Sequence, residues 1–156
     1  MKKIYLITPM KGRTLEKIEA YRAAQKRVAE AVFGEEVEII DSLVAQDAPK
    51  DSNEAVYYLG KAISHMAEAD VVVFPNERIL RMYKGCRVEA DIVNMYEMCN
   101  IELPRLPEDD ELMDERNKMK EAEELKRVNA MRRLNNLPEF GELPLAYKGG
   151  ECYAGG

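Results

Sequence analysis

The sequence predicts an α/β protein: a parallel sheet of four or five strands with flanking helices, and a long helix appended near the C-terminal end. Three observations predict it. Short runs rich in β-branched residues, Lys3–Thr8, Val37–Ile40 and Val71–Phe74, are apolar throughout or nearly so, as strands buried on both faces require. They alternate with longer segments whose apolar residues recur at helical spacing, and this order implies right-handed crossovers with helices on both faces of the sheet. Beyond Leu106 the composition changes, and the highly charged stretch from Asp109 to Asn135, free of proline and glycine, reads as one long helix.

The elements follow in order. Lys3-Ile-Tyr-Leu-Ile-Thr8 ends in Thr-Pro and forms the first strand. Leu15 to Phe33 carries Ile18, Tyr21, Val28 and Val32 on one helical stripe, with Thr14 as N-cap and Gly34 as the stop. Val37–Ile40 is the second strand, and Asp41 to Lys50, aperiodic and containing Pro49, is a loop. Asp51-Ser-Asn-Glu54 is a variant of the capping box and opens a helix with Val56, Leu59, Ile63 and Met66 on one stripe. Val71–Phe74 is the third strand. A loop from Pro75 to Lys84 leads to a helix from about Cys86 to Cys99, whose inner face is expected to be Val88, Ile92, Tyr96 and Cys99. Ile101 to Leu103 is a candidate fourth strand. In the long helix, Leu112, Met119, Ala130, Leu134 and Leu137 share one stripe while Leu125 and Val128 lie opposite. A helix apolar on two sides bridges two surfaces, so a homodimer or higher homo-oligomer is expected. Pro138 to Gly156, rich in glycine and proline, reads as extended. The division expected is a domain over 1–106 and a helix-and-tail segment over 107–156.

Composition narrows the function. With 156 residues the chain is one domain's worth, 46% hydrophobic and 33% charged, and its net charge of −6 disfavours a nucleic-acid polymer or an anionic membrane as partner. No apolar run approaches the roughly 18 residues that span a bilayer, and the opening Met-Lys-Lys-Ile-Tyr-Leu-Ile is too short for a signal peptide. The three cysteines, Cys86, Cys99 and Cys152, have no CxxC spacing, so a reducing cytoplasm fits and neither a metal nor another cofactor is indicated. His65 is the only histidine, which removes triad catalysis unless His65 itself serves.

In a doubly wound sheet ligands bind beyond the carboxyl ends of the strands. The segments of interest are therefore Thr8 to Arg13, Asp41 to Ser52 and Pro75 to Glu89. In the last of these, Gly85-Cys-Arg-Val-Glu89 reads as a glycine turn that enters a helix and puts Glu89 in its first turn. There the helix dipole favours the ionised form, and a carboxylate of low pKa suits attack on an anomeric carbon. The motif alone favours the plainer reading, an acid that merely suits a helix start, since acids are common in first helical turns. Asp70 is a candidate general acid, although it opens its strand at the edge opposite the carboxyl ends. Tyr5 sits within the first strand, where its hydroxyl needs a partner such as a carboxylate. Lys11, Gly12 and Arg13 form a basic loop that suits one phosphate, without a dinucleotide or Walker fingerprint.

Lys3-Ile-Tyr-Leu-Ile-Thr-Pro-Met10, Ala69-Asp-Val-Val-Val-Phe-Pro75 and Lys84-Gly-Cys-Arg-Val-Glu89 together resemble the nucleoside 2-deoxyribosyltransferase-like superfamily, in particular its small phage and prophage branch. The resemblance spans roughly the first hundred residues. It implies a flavodoxin-like fold that cleaves or exchanges the N-glycosidic bond of a nucleoside or nucleotide, with an active site completed by a neighbouring subunit. Glu89 would match the nucleophile, Tyr5 the tyrosine that orients it and Asp70 the acid that helps protonate the base. Thr8, Pro9, Met10, Lys11, Gly12, Arg13 and Gly85 would line the substrate, with Lys11 and Arg13 toward a 5′-phosphate. The chain departs from that pattern at Arg81-Met-Tyr83, where active transferases carry an aspartate. A nucleotide-binding protein without turnover is therefore the alternative.

Overall fold

The computed structural model describes residues 1–41 and 48–148. Most of the loop expected from Asp41 to Lys50, and the tail beyond residue 148 with Cys152, lie outside them. The chain divides into two compact units, Met1–Asp109 and Asp110–Gly156.

The first unit is the α/β layer. Its elements are β1 (Lys2–Leu6), α1 (Leu15–Phe33), β2 (Val37–Ile39), α2 (Glu54–Met66), β3 (Val71–Phe74), α3 (Glu77–Met82), α4 (Lys84–Met95) and β4 (Asn100–Glu102). Among the described residues the sheet has four strands in the order β2-β1-β3-β4, and every pairing is parallel. This is the flavodoxin-like order, and its switch point falls between β1 and β3, where consecutive connections depart in opposite directions. Right-handed crossovers put α1 on one face of the sheet and α2 and α4 on the other. Ile4, Tyr5, Leu6 and Ile7 of β1 and Val71 to Phe74 of β3 are all buried, which explains their continuous apolar runs.

Local chemistry sets the helix ends. Thr14 caps α1 by accepting a hydrogen bond from the Lys17 amide at 3.3 Å, and Gly34 ends it in the left-handed conformation at φ 68°. The capping box at Asp51 is corrected: Asn53 caps α2, accepting from the Val56 amide at 3.2 Å, while Asp51 sits outside the helix at φ 65°. The segment Pro75 to Lys84, expected to be a loop, contains α3, because Asn76 caps it from the Arg78 amide at 3.0 Å.

The face of α4 is also corrected. It buries Cys86, Glu89, Ala90 and Val93, and leaves Val88, Met95 and Tyr96 exposed. On α1, Ile18 and Tyr21 are buried as expected, but Ala24, Gln25 and Ala29 complete the inner face and Val32 is exposed. Gln25 has a specific task. Its Nε2 donates to the Ile7 carbonyl at 2.9 Å and its Oε1 accepts from Thr8 Oγ1 at 2.9 Å, pinning the chain where it leaves β1.

Helix α5 (Glu108–Leu134) begins at the end of the first unit and makes up most of the second, which also holds α6 (Leu145–Lys148). Leu112 and Val128 are buried, whereas Leu134 and Leu137 of the expected stripe are exposed. The segment after α5 does not run free. Asn129 exchanges two hydrogen bonds with the backbone of Phe140, at 2.9 and 2.8 Å, and the Arg132 guanidinium lies 4.0 Å from the Phe140 ring centroid. Leu143 is buried at this fold-back, as is Val128. Of the two residues that suggest a bridge to a second surface, Val128 is buried and Leu125 half-buried.

The Gln25 clamp yields a stability prediction. Gln25→Leu keeps the volume but takes the side-chain donor from the buried Ile7 carbonyl and leaves the Thr8 hydroxyl only the Leu6 carbonyl, 3.2 Å away, and a buried group left unsatisfied costs roughly 1–3 kcal/mol. Chemical denaturation is expected to show a loss in that range with the cooperativity unchanged.

Candidate functional site

The site is built where β1 meets α4. Tyr5 lies on the face of β1 opposite to the Ile4, Leu6 and Thr8 side chains, so it reaches the α4 side of the sheet. There its hydroxyl donates to Glu89 Oε2 at 2.8 Å, joining residues 84 positions apart in sequence. The other carboxylate oxygen, Oε1, takes no hydrogen bond from the described residues. Glu89 is only 8% exposed.

This environment overturns the expectation of a low pKa. Glu89 belongs to the second turn of α4, not the first, and the first turn holds no acid. The dipole effect fades within one turn. Burial dominates instead and pushes the Glu89 carboxyl up to about 7, opposed only in part by the Tyr5 hydrogen bond. The thiol of Cys86, one turn before it and buried, is pushed upward by desolvation and then by the charge of Glu89, so it stays protonated.

Gly85 is not a turn but the second residue of α4, four positions before Glu89 and on the same face. A Cβ added there would meet nothing within 4 Å, so no packing demands glycine. Helix propensity would favour alanine by roughly 0.5–1 kcal/mol. The space beside Gly85, on the helix face that leads to Glu89, is open.

The other expected residues separate into three groups. Asp70 stands at the amino edge of β3, where its Oδ2 accepts from the Lys3 amide at 2.8 Å while its own amide donates to the Lys3 carbonyl at 2.8 Å. It clips two strand starts together. Thr8 and Pro9 are buried, and the Thr8 hydroxyl is engaged by Gln25. Met10, Lys11, Gly12 and Arg13 form the turn after β1, closed by the Arg13 amide donating to the Met10 carbonyl at 3.1 Å, with Gly12 at φ 74°, a conformation that favours glycine. Lys11 and Gly12 are exposed; Arg13 is half-buried, its guanidinium 5.6 Å from the Tyr21 ring centroid.

Several residues of the site escaped the sequence reading. The Tyr21 hydroxyl donates to Asp109 Oδ1 at 2.6 Å, and Asp109 Oδ2 accepts from the Leu106 amide at 2.8 Å. Desolvation, then Asp109, drive the Tyr21 phenol far up, so it is a permanent donor. Arg22 is buried beneath this edge, donating to the Ile40 carbonyl at 3.2 Å, and interacts electrostatically with Asp41 and Tyr5. Tyr21 was visible as an inner-face position of α1. Nothing local in the sequence marks Asp109 as its partner.

A carboxyl pushed up by burial must cost stability when it ionises. Its folded pKa lies above the ordinary value of 4.5, so its contribution is fully present below pH 4.5 and is lost as pH rises through about 7. Glu89→Gln is therefore expected to stabilise the protein at pH 8 by up to about 3 kcal/mol, a shift of that size at 1.36 kcal/mol per pH unit, and to change little at pH 4. Thermal unfolding of both proteins across this range checks the difference and its sign.

Comparison of the chain with family models, with curated proteins and with solved structures found no match.

Proposed function

We propose that the protein binds a nucleoside or nucleotide beyond the carboxyl ends of β1 and β3 and cleaves or exchanges its N-glycosidic bond through Glu89. The observation that carries this reading is the buried Tyr5–Glu89 pair, in which one carboxylate oxygen is held by a phenol and the other takes no hydrogen bond from the described residues. A fixed carboxylate with one unengaged oxygen is the form a nucleophile at an anomeric carbon takes. Further support comes from the open face at Gly85 and from the basic turn at Lys11 and Arg13, which suits a 5′-phosphate. The sequence resemblance to the nucleoside 2-deoxyribosyltransferase-like proteins points the same way.

In this mechanism Glu89 Oε1 attacks the anomeric carbon as the bond to the base breaks, forming a glycosyl ester. Water, or a second base, then attacks the same carbon and releases the carboxylate. Tyr5 keeps Oε2 in place and stabilises the charge. With Asp70 tied to Lys3 at the other edge, the departing base takes its proton from water rather than from a second carboxylate. The same feature favours a second reading, a cytoplasmic protein that holds the nucleotide without turnover. The partners in either case are a small nucleoside or nucleotide and, for the assembly expected from the sequence, another copy of the chain.

Incubation with a panel of nucleosides and 5′-monophosphates, with free base followed by chromatography, tests the proposal. Base release is expected, lost in Glu89→Gln and rising with pH through about 7 as Glu89 ionises. Tyr5→Phe removes the hydrogen bond that lowers the Glu89 pKa, so its profile is expected to move to higher pH. Release that persists in Glu89→Gln refutes the nucleophile assignment. A ligand that raises the melting temperature yet is recovered intact establishes the binding reading instead.

A further inference from the structure

The last turn of α4 exposes its largest apolar side chains. Met95 and Tyr96 are 75% and 74% exposed, while the buried face of the same helix holds Cys86 and Glu89. The ends of α2 and α4 lie side by side, with an apolar groove of about 500 Å³ between them. Ile63 and Met66 line it from α2, Ile92, Met95 and Tyr96 from α4, and Met98 from the segment that follows. All belong to the first unit, at the amino edge of the sheet, since β3 and β4 begin soon after these two helix ends. The groove is therefore at the opposite edge from the turn of Lys11 to Arg13, which follows β1.

The surroundings of the groove carry one sign of charge. Among the charged residues within two positions of its lining, Glu68, Asp91 and Glu97 are exposed acids. The one lysine, Lys61, turns back along α2, with Nζ 5.6 Å from the Tyr57 ring centroid. Two helix ends also meet here, and the negative end of a helix dipole favours a cation. Yet the last turn of α4 holds no base, and that of α2 holds only His65. Glu97 itself stands in the left-handed conformation, at φ 53°. Its amide donates to the Asn94 carbonyl at 3.3 Å and the Met98 amide to the Val93 carbonyl at 3.0 Å, a helix stop that glycine fits best. An acid thus occupies a strained position at the rim of the groove.

We propose that this groove receives a basic amphipathic helix of another protein, with apolar side chains in the groove and lysine or arginine over Glu68, Asp91 and Glu97. An apolar groove takes such a ligand through side chains at helical spacing. Met66, Met95 and Met98 suit that task, because flexible thioethers adapt to the uneven side of a helix. Charge complementarity selects the partner: a basic helix meets three carboxylates and two negative helix ends, whereas an acidic one is repelled by them and by the net charge of −6. The inference rests on the α2/α4 groove alone and is independent of the role of Glu89.

Fluorescence anisotropy of the full chain with a labelled helical peptide of leucine and lysine, about 18 residues long, tests this. Saturable one-to-one binding is expected, and none with the same peptide carrying glutamate for lysine. Met95→Ser, and Glu68→Lys combined with Glu97→Lys, are each expected to weaken binding about tenfold or more. Far-UV circular dichroism is expected to stay unchanged, since all three positions are exposed. Glu16→Lys combined with Glu36→Lys changes the net charge equally, at exposed positions on α1 and in the turn after it, and is expected to leave binding nearly unchanged. Absence of saturable binding overturns the proposal, as does binding indifferent to Met95→Ser. Equal weakening by the two charge-reversing pairs also overturns it, since that is attraction to an acidic chain as a whole. Sedimentation velocity supplies the last arm: a dimer that Met95→Ser dissociates shows the groove filled by a second copy, and overturns it too.

Discussion

Glu89 is a carboxyl placed where a carboxyl is expensive, and the organisation of the first unit turns on how that placement is sustained. The α4 helix presents it to the sheet, desolvation raises its pKa to about 7, and a single hydrogen bond from Tyr5 is the only compensation supplied by the described residues. For Tyr5 to deliver that bond, β1 must lie at the centre of the sheet, between β2 and β3, with its side chains correctly phased. The Asp70 clip at one end of β1 and the Gln25 clamp at the other fix its register and its exit. Structural groups thus support the Glu89 pair from both ends of the strand without touching it.

A second set of contacts closes the carboxyl edge. Tyr21 and Asp109 join α1 to the start of α5, and Asp109 also holds the Leu106 amide. With Arg13 over the Tyr21 ring and Arg22 beneath, the edge carries two guanidinium groups near a phenol and a carboxylate. Positive charge here suits an anionic ligand group such as a phosphate, although the whole chain is acidic.

Legibility in the sequence followed the range of the interactions involved. The ends of α1 were readable because a cap and a left-handed stop are decided within a few residues: Thr14 and Gly34 do what their types favour. The strands were readable because burial on both faces leaves continuous apolar runs. Glu89 and Tyr5 stood out by residue type and position, but their contact spans 84 residues, and only the fold shows which carboxylate the phenol meets. Asp109 was invisible for the same reason, its partner Tyr21 being 88 residues away. The inner face of α4 was misread because periodicity reports which side is apolar, not which side is buried. Here the site occupies the inside and displaces the apolar stripe outward. The expected low pKa failed similarly, since it rested on a one-residue-turn view of the helix start rather than on burial.

Glu89 is held in a buried state that makes it titrate well above the ordinary value of a glutamate, with Tyr5 as its counterweight. Carbon-13 NMR of side-chain-labelled glutamate across pH reads this without any substrate. One carboxyl is expected to titrate near pH 7, absent in Glu89→Gln and moved still higher in Tyr5→Phe. A spectrum in which every glutamate titrates near the ordinary value of 4.5 would contradict it.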